Sequence, residues 1–250
     1  TIGRRQRQMC IRDRMGAEAT QKLSIDQWHS LSSLPDTLSE HLKSCQSLLT
    51  IGNPPQQVDL PSTIADGTPL VNSMRIVKDP HEINCIKQAC SISAKAHNAL
   101  IQKAPTFSNE SDIAGLFLNE TMQLGSQSLA YPTIAAANIN ACTLHYTKNN
   151  SKIQKTDLIL VDAGCEYSEY ASDITRTFPA SGRFSAQQQA IYEAVLDTQE
   201  SSINLCKPNT KFSDINHHAI TRICQHLIDL KILNGSIDDI IEQQLSLIHI

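Results

Sequence analysis

The stretch Leu158–Phe178, LILVDAGCEYSEYASDITRTF, constrains the fold of this chain more than any other. It opens with Leu158-Ile159-Leu160-Val161, four residues that favour extended backbone, and breaks at Asp162-Ala163-Gly164. A short apolar run ending in small residues predicts a buried strand. After a polar turn comes a second extended run, Asp173–Phe178. Side chains alternate along a strand, so Asp173, Thr175 and Thr177 share one face, and Ile174, Arg176 and Phe178 the other. If the two runs pair as a hairpin, both carboxylates point into one cavity. Two like charges side by side are costly unless something positive lies between them. Divalent metal is the simplest resolution, because hard cations take carboxylate oxygen and two aspartates can bridge a pair of ions about 3.5–4 Å apart. On spacing alone an ordinary alternative stands beside this, since an aspartate at a strand end commonly serves as a turn or cap residue.

A chain of 250 residues can bury a sizeable core in one large or two small domains. No stretch approaches the roughly 20 apolar residues of a membrane span, so no membrane partner is expected. The eight cysteines (10, 45, 85, 90, 142, 165, 206 and 224) form no CxxC pair. They predict mostly buried, reduced thiols and a cytoplasmic location. Cys165 is close to Asp162, but thiolate suits softer metals, so it reads as packing. The net charge of −4 divides into +4 over residues 1–14, with five Arg and one Asp, and −8 over the rest. Basic arms serve nucleic-acid or membrane-surface binding. This one has no apolar periodicity and runs directly into Met15, so it reads as a non-native tail and no nucleic-acid partner is expected. Residues 245–250, LSLIHI, read the same way.

Leu34, Leu38, Leu42, Cys45 and Leu49 recur at three- and four-residue spacing and predict one amphipathic helix. The prolines and glycines of residues 50–73 predict a loop-rich linker, and Trp28 reads as a packing residue. Asp79-Pro80-His81-Glu82 is a helix start with a capping box. Its helix would present Ile83, Ile86, Cys90, Ala94, His97 and Ile101 on one face and stop at Pro105, with His97 a satisfied, partly buried histidine. Ser108 opens a second helix with Ile113, Leu116, Phe117 and Leu124 apolar and Gly125 at its end. Strands are expected near Leu129–Ala136, Thr143–Thr147, Asp157–Asp162 and Tyr170–Phe178. Ser185 caps a helix through Ile191, Val195, Leu196 and Ile203 to Lys207, and Ser213 caps another, through Leu230. Ser236 begins a last short helical stretch. The starts at Asp79 and Ser108 recur at Ser185 and Ser213, offsets of 106 and 105 residues. Helix pair, strands and helix pair again suggest two similar halves packed across a shared sheet; the period would start second-half strands near residue 235, and the chain is expected to stop at Ile250 before they can be built.

The run from Asp162 to Pro179, DAGCEYSEYASDITRTFP, resembles the signature of the Xaa-Pro aminopeptidases (aminopeptidase P), which are pita-bread metallopeptidases. Leu144-His145-Tyr146-Thr147 resembles that family's LHYT segment, and Tyr131, in AYPTI, resembles a tyrosine that supports a metal-binding aspartate. The likeness runs from about Met74 to about Gln244. It implies an α+β pita-bread fold, a duplicated helix pair plus antiparallel sheet, with the second half truncated in this chain. Residues 15–73 would then be the remnant of an N-terminal domain and its linker, and 74–244 a partial catalytic domain. The resemblance implies Asp162 and Asp173 as metal ligands, His145 as the histidine lining the substrate pocket, and Tyr131 and Thr175 as supporting residues. It implies two divalent ions, Mn²⁺ before others, and peptide substrates with an Xaa-Pro N-terminus, from which the first residue is removed. A homo-oligomer is implied for the intact protein.

The family's dinuclear site takes two Asp, one His and two Glu, the His from a His-Gly-x-x-His-type segment that this sequence lacks. His217 and His218 are adjacent on a helix and point apart. His226, on the same helix, could as easily be a solvated surface group as a ligand, His249 falls in the tail, and Glu242 lacks the family's surrounding residues. The chain by itself is therefore expected to bind metal weakly and turn over little. Two other readings compete: a prolidase, with the same ligands but limited to dipeptides, and a non-catalytic pita-bread scaffold. Retention of Asp162, Asp173, Tyr131 and His145 favours the aminopeptidase.

Overall fold

The computed structural model describes residues 33–53 and 58–243. The two tails, Cys10, Met15, Trp28 and His249 lie outside the described residues. The chain divides into two compact units between Lys78 and Asp79.

In the first unit, helix α1 (Leu34–Leu42) precedes a parallel strand pair, β1 (Ser47–Thr50) and β2 (Thr63–Asp66), and helix α2 (Thr68–Ile76). The helix expected to reach Leu49 therefore stops at Leu42, and Leu49 lies in β1. The expected linker instead holds β2 and α2. Pro69 sits in the first turn of α2, where a missing N–H costs nothing, and the Asp66 carboxylate accepts from the Thr68 N–H at 2.9 Å.

The second unit opens with helix α3 (Pro80–Lys103), started by the expected capping box. Glu82 N–H donates to Asp79 at 2.8 Å, and Asp79 N–H donates to Glu82 at 2.8 Å. Helix α4 (Glu110–Gln123) follows, capped by Asn109 rather than Ser108, and Gly125 beyond its end is left-handed at φ 93°. Strands β3 (Ser128–Leu129), β6 (Cys165–Tyr167) and β7 (Tyr170–Ala171) form one antiparallel sheet. Strands β4 (Ile134–Ala137), β5 (Leu158–Ala163) and β8 (Ile174–Pro179) form another. Helices α5 (Ala186–Asn204), α6 (Phe212–Asp229) and α7 (Ile237–Glu242) complete the described chain.

The alternation of β5 sets the core. Ile159, Val161 and Ala163 are fully buried with Leu100 of α3 and with Ile113 and Phe117 of α4, while Leu158, Leu160 and Asp162 take the opposite face. The buried face of α3 is not the expected one. It consists of Cys85, Ala89, Ile92, Ser93, Ala96, His97 and Leu100, whereas Ile83, Cys90 and Ile101 are exposed. The small side chains of Ala89, Ser93 and Ala96 lie on the face that meets β6 and β7, where close packing leaves little room for larger ones.

Other expectations are corrected too. Thr143–Thr147 is a turn and not a strand. Ile191, Val195, Leu196 and Ile203 of α5 are exposed, leaving Ala194 as that helix's buried residue. Helix α6 starts after Lys211, without a side-chain cap from Ser213. The last short helical stretch is α7, capped by Ser236 as expected. The described cysteines are free, but Cys45, Cys90, Cys142 and Cys206 are exposed against buried Cys85, Cys165 and Cys224, so thiol burial is less general than expected. Among the described residues no helix is long and apolar enough to cross a membrane.

Candidate metal centre

Strands β5 and β8 pair in a register that sets Asp162 opposite Thr175, and β4 sets Ile134 opposite Asp162. Ile134, Asp162 and Thr175 thus form one row across the sheet. Asp173 lies two residues before Thr175, so strand alternation keeps it on the same face. Between β5 and β8 the chain leaves for the other sheet and must return close to its point of departure. A Cβ at Gly164 would lie 1.8 Å from the Ser172 carbonyl oxygen and 3.2 Å from the Tyr131 ring. Glycine at this position is what lets Ser172, and so Asp173, come back beside Asp162.

A buried polar cluster fixes the crossing from beneath. The Ser93 and Ser172 hydroxyls meet at 2.7 Å, and the Cys165 N–H donates to each at 3.1 Å. The Cys165 thiol donates to the Ala89 carbonyl at 3.5 Å, in keeping with a packing role. His97 donates from Nε2 to the Ala163 carbonyl at 3.1 Å and stacks edge-on against Phe117. It is more deeply buried than expected, and its Nδ1 has no hydrogen-bond partner. Burial holds its pKa below the ordinary imidazole value, so the ring is neutral.

Tyr131 joins the two aspartates. Its hydroxyl lies 2.6 Å from Asp162 Oδ1 and 3.0 Å from Asp173 Oδ1. The two carboxylate oxygens can therefore be no further apart than those two contacts laid end to end. A phenol has one hydrogen, and it can serve only one carboxylate at a time. Burial first, and then both carboxylates, push the Tyr131 ionisation far above the ordinary phenol range, so it stays a neutral donor. A cavity of about 410 Å³ opens beside this group, lined by Tyr131, Pro132, Ile134, His145, Thr147, Asp162 and Asp173. His145 is exposed at a tight turn with φ 54°. Thr175 is exposed next to Asp162 across the sheet.

The structure thus brings Tyr131, Asp162, Asp173 and His145 to one cavity. Two other histidines, His218 and His226, belong to the packing of α5 against α6. His218 Nε2 meets the Ser201 hydroxyl at 3.0 Å. Asp197 Oδ2 accepts from Arg222 at 2.6 Å and His226 at 2.7 Å, which draws the Asp197 carboxyl down to about 2. His226 is therefore paired, not a free solvated group.

Sequence reading missed Glu110, the first residue of α4, where an acidic side chain looks like ordinary helix-end chemistry. It is fully buried, and both of its oxygens accept hydrogen bonds from the segment that carries His145. Burial would raise its pKa, but donors from Asn140, Ala137, Ser151 and Tyr146 outweigh that and hold the carboxyl below its ordinary value.

Two facing carboxylates sharing a single phenolic hydrogen leave negative charge that a divalent cation would neutralise, and hard oxygen donors suit such an ion. Among the described residues no group of three or more His, Cys, Asp or Glu is arranged to hold a metal. The pair therefore stands as two donors.

The profile of metallopeptidase family M24 matches residues 84–238. The chain belongs to family M24. Its M24 fold is the pita-bread fold of aminopeptidase P. "Proline aminopeptidase P II" from Yersinia pestis superposes with a TM-score of 0.83 at 31% identity, covering 93% of this chain and 58% of that one. A zinc-substituted Escherichia coli aminopeptidase P in complex with product gives a TM-score of 0.84 at 31% identity, covering 93% and 57%. In sequence, the M24 chain is 36% identical over 240 residues to the Xaa-Pro aminopeptidase of Haemophilus influenzae, covering 92% of this chain and 56% of the relative. It is 37% identical over 188 residues to the Xaa-Pro aminopeptidase of Escherichia coli, covering 75% and 43%. The chain spans about half the length of the curated relatives it matches.

Proposed function

We propose that this chain is the aspartate-bearing part of an Xaa-Pro aminopeptidase, a metal-dependent enzyme that removes the first residue from peptides with proline second. The observation that carries the reading is the meeting of Asp162 and Asp173 at one Tyr131 hydroxyl, in a cavity that His145 also lines. The similarity to relatives named Xaa-Pro aminopeptidase supports the same substrate class.

In this reading Asp162 and Asp173 help hold two divalent ions, which the family resemblance implies to be Mn²⁺ and with which the oxygen donors are compatible. Ions bound there would supply Lewis-acid polarisation of the scissile carbonyl. The remaining work belongs to the chain itself. Tyr131 stays neutral and fixes the Asp162 carboxylate by its short hydrogen bond. Thr175, in register beside Asp162, supports that carboxylate's rim of the site. His145 donates a hydrogen bond to substrate as negative charge develops on the carbonyl oxygen. A prolyl amide nitrogen carries no hydrogen, so recognition has to rest on shape, for which Pro132 and Ile134 provide an apolar wall. The reading also carries a cytoplasmic location, consistent with the free cysteines, and a homo-oligomeric whole protein.

Two carboxylates supply only part of the roughly six oxygen donors that an ion of this kind takes, so slow turnover is expected of the 250-residue chain. The test supplies Mn²⁺ with an Xaa-Pro-Yaa tripeptide or an Xaa-Pro dipeptide and follows the freed amino acid. Slow release from the tripeptide, abolished in Asp162→Asn and Asp173→Asn, is the expected result. Release from the dipeptide alone would assign a prolidase. Release that persists in both variants would remove the pair from the chemistry.

A further inference from the structure

We propose that Glu110 is the positioning residue for His145, holding the turn that presents it to the cavity. The proposal deepens the reading above, because it rests on His145 facing substrate there. Its physical basis is the segment between Ala137 and Ser151. Three of its residues other than glycine are left-handed: Asn138 at φ 51°, His145 at φ 54° and Asn149 at φ 46°. Side-chain-bearing residues take that conformation only where surrounding contacts over-determine it. Glu110 supplies such contacts at three separated points. Its Oε1 accepts from the Ala137 N–H and the Asn140 amide, both at 2.9 Å, at the start of the segment. Its Oε2 accepts from the Tyr146 hydroxyl at 2.8 Å and the Ser151 N–H at 2.9 Å, at the middle and the end.

Tyr146 is the link to His145. It is the next residue, and its ring is buried with Ile134 and Ala136 on the sheet face that bears Asp162. Its hydroxyl on Glu110 therefore fixes how far the turn reaches over that face. The chemistry asks for a carboxylate. Four donors converge on two oxygens, and a glutamine amide would present its own hydrogens to two of them. A second anchor, independent of Glu110, holds the far end: the Ala135 N–H donates to Asn149 Oδ1, and the Asn149 amide donates to the Thr133 carbonyl, both at 2.8 Å. Loss of Glu110 should then free the middle of the segment while its end stays on β4. Tyr146→Phe, which keeps the carboxylate and removes one hydroxyl, should act in the same direction.

The experiment measures amide hydrogen exchange and the His145 ring resonances in the full chain for wild type, Glu110→Gln and Tyr146→Phe, with and without a proline-containing peptide. In Glu110→Gln, exchange at the hydrogen-bonded amides of the segment, Ala137, Thr143 and Ser151, should rise about tenfold or more and the His145 ring signals should shift, while α3 and β5 keep their protection. Unchanged exchange at those three amides, or an equal rise in α3 and β5, would overturn the proposal. If Glu110→Gln does not fold, Tyr146→Phe decides by the same two results. A loosened turn with unaltered peptide binding would uphold the role of Glu110 while removing His145 from the substrate site, so the two readings fail separately.

Discussion

At residue 164 an added Cβ would meet the Ser172 carbonyl oxygen at 1.8 Å, a backbone atom that cannot swing aside as a side chain can. Gly164→Ala must therefore push β5 away from the segment leading into Asp173. Overpacking of this kind costs about 1–3 kcal/mol, and rigid neighbours put it at the upper end. Thermal denaturation of Gly164→Ala should show a loss of about that size, and an unchanged midpoint would mean that the crossing is looser than described. The same scale separates what sequence could reveal from what it could not. Asp162, Gly164 and Asp173 are readable because they sit in one short motif. Glu110 bonds Ala137 across 27 positions, and Ser93 bonds Ser172 across 79. Nothing near Glu110 in the sequence distinguishes it from a solvated acid at a helix start. Its role exists only once the fold has brought its donors together.

The elements repeat that contrast. The starts of α3, α5 and α7 were legible because a cap is a local bargain between residues three apart. Which face of a helix is buried is decided by its neighbours, and on α3 the close approach of β6 and β7 selects Ala89, Ser93 and Ala96 over Ile83 and Ile101. Thr143–Thr147 has strand-like composition but no ladder to join, since the Asn149 side chain already occupies the backbone groups of Thr133 and Ala135. Helices α5 and α6 are tied by Asp197, Arg222 and His226. Asp197 has its folded carboxyl lowered to about 2 by Arg222 and then His226. A lowered folded pKa stabilises above the ordinary carboxylate value and is lost as pH falls through the folded one. The stability difference between wild type and Asp197→Asn should therefore be present at neutral pH, shrink below about pH 4, and disappear only as pH falls below about 2. Because the cluster is solvent-accessible, added salt should also reduce the difference at neutral pH. A difference constant across that range would assign the tie to packing instead.

On the scale of the whole molecule, the second unit is a pita-bread unit whose sheet buries one face and turns Asp162 and Asp173 toward a cavity on the other. Its relatives are about twice as long, and the helices α5 and α6 expose Ile203 and Phe212 rather than packing them inward. The duplicated helix pairs were legible in sequence as a repeat of caps, yet the caps proved to be Asn109 and Lys211 where serines were expected. The chemistry proposed for this cavity requires a cation between the two aspartates. The most direct test titrates the chain with Mn²⁺ and maps paramagnetic broadening of amide signals in wild type, Asp162→Asn and Asp173→Asn. Broadening should begin around Tyr131, Asp162 and Asp173 and be lost in both variants. Broadening centred on the Asp197 cluster, or unchanged by either substitution, would contradict it.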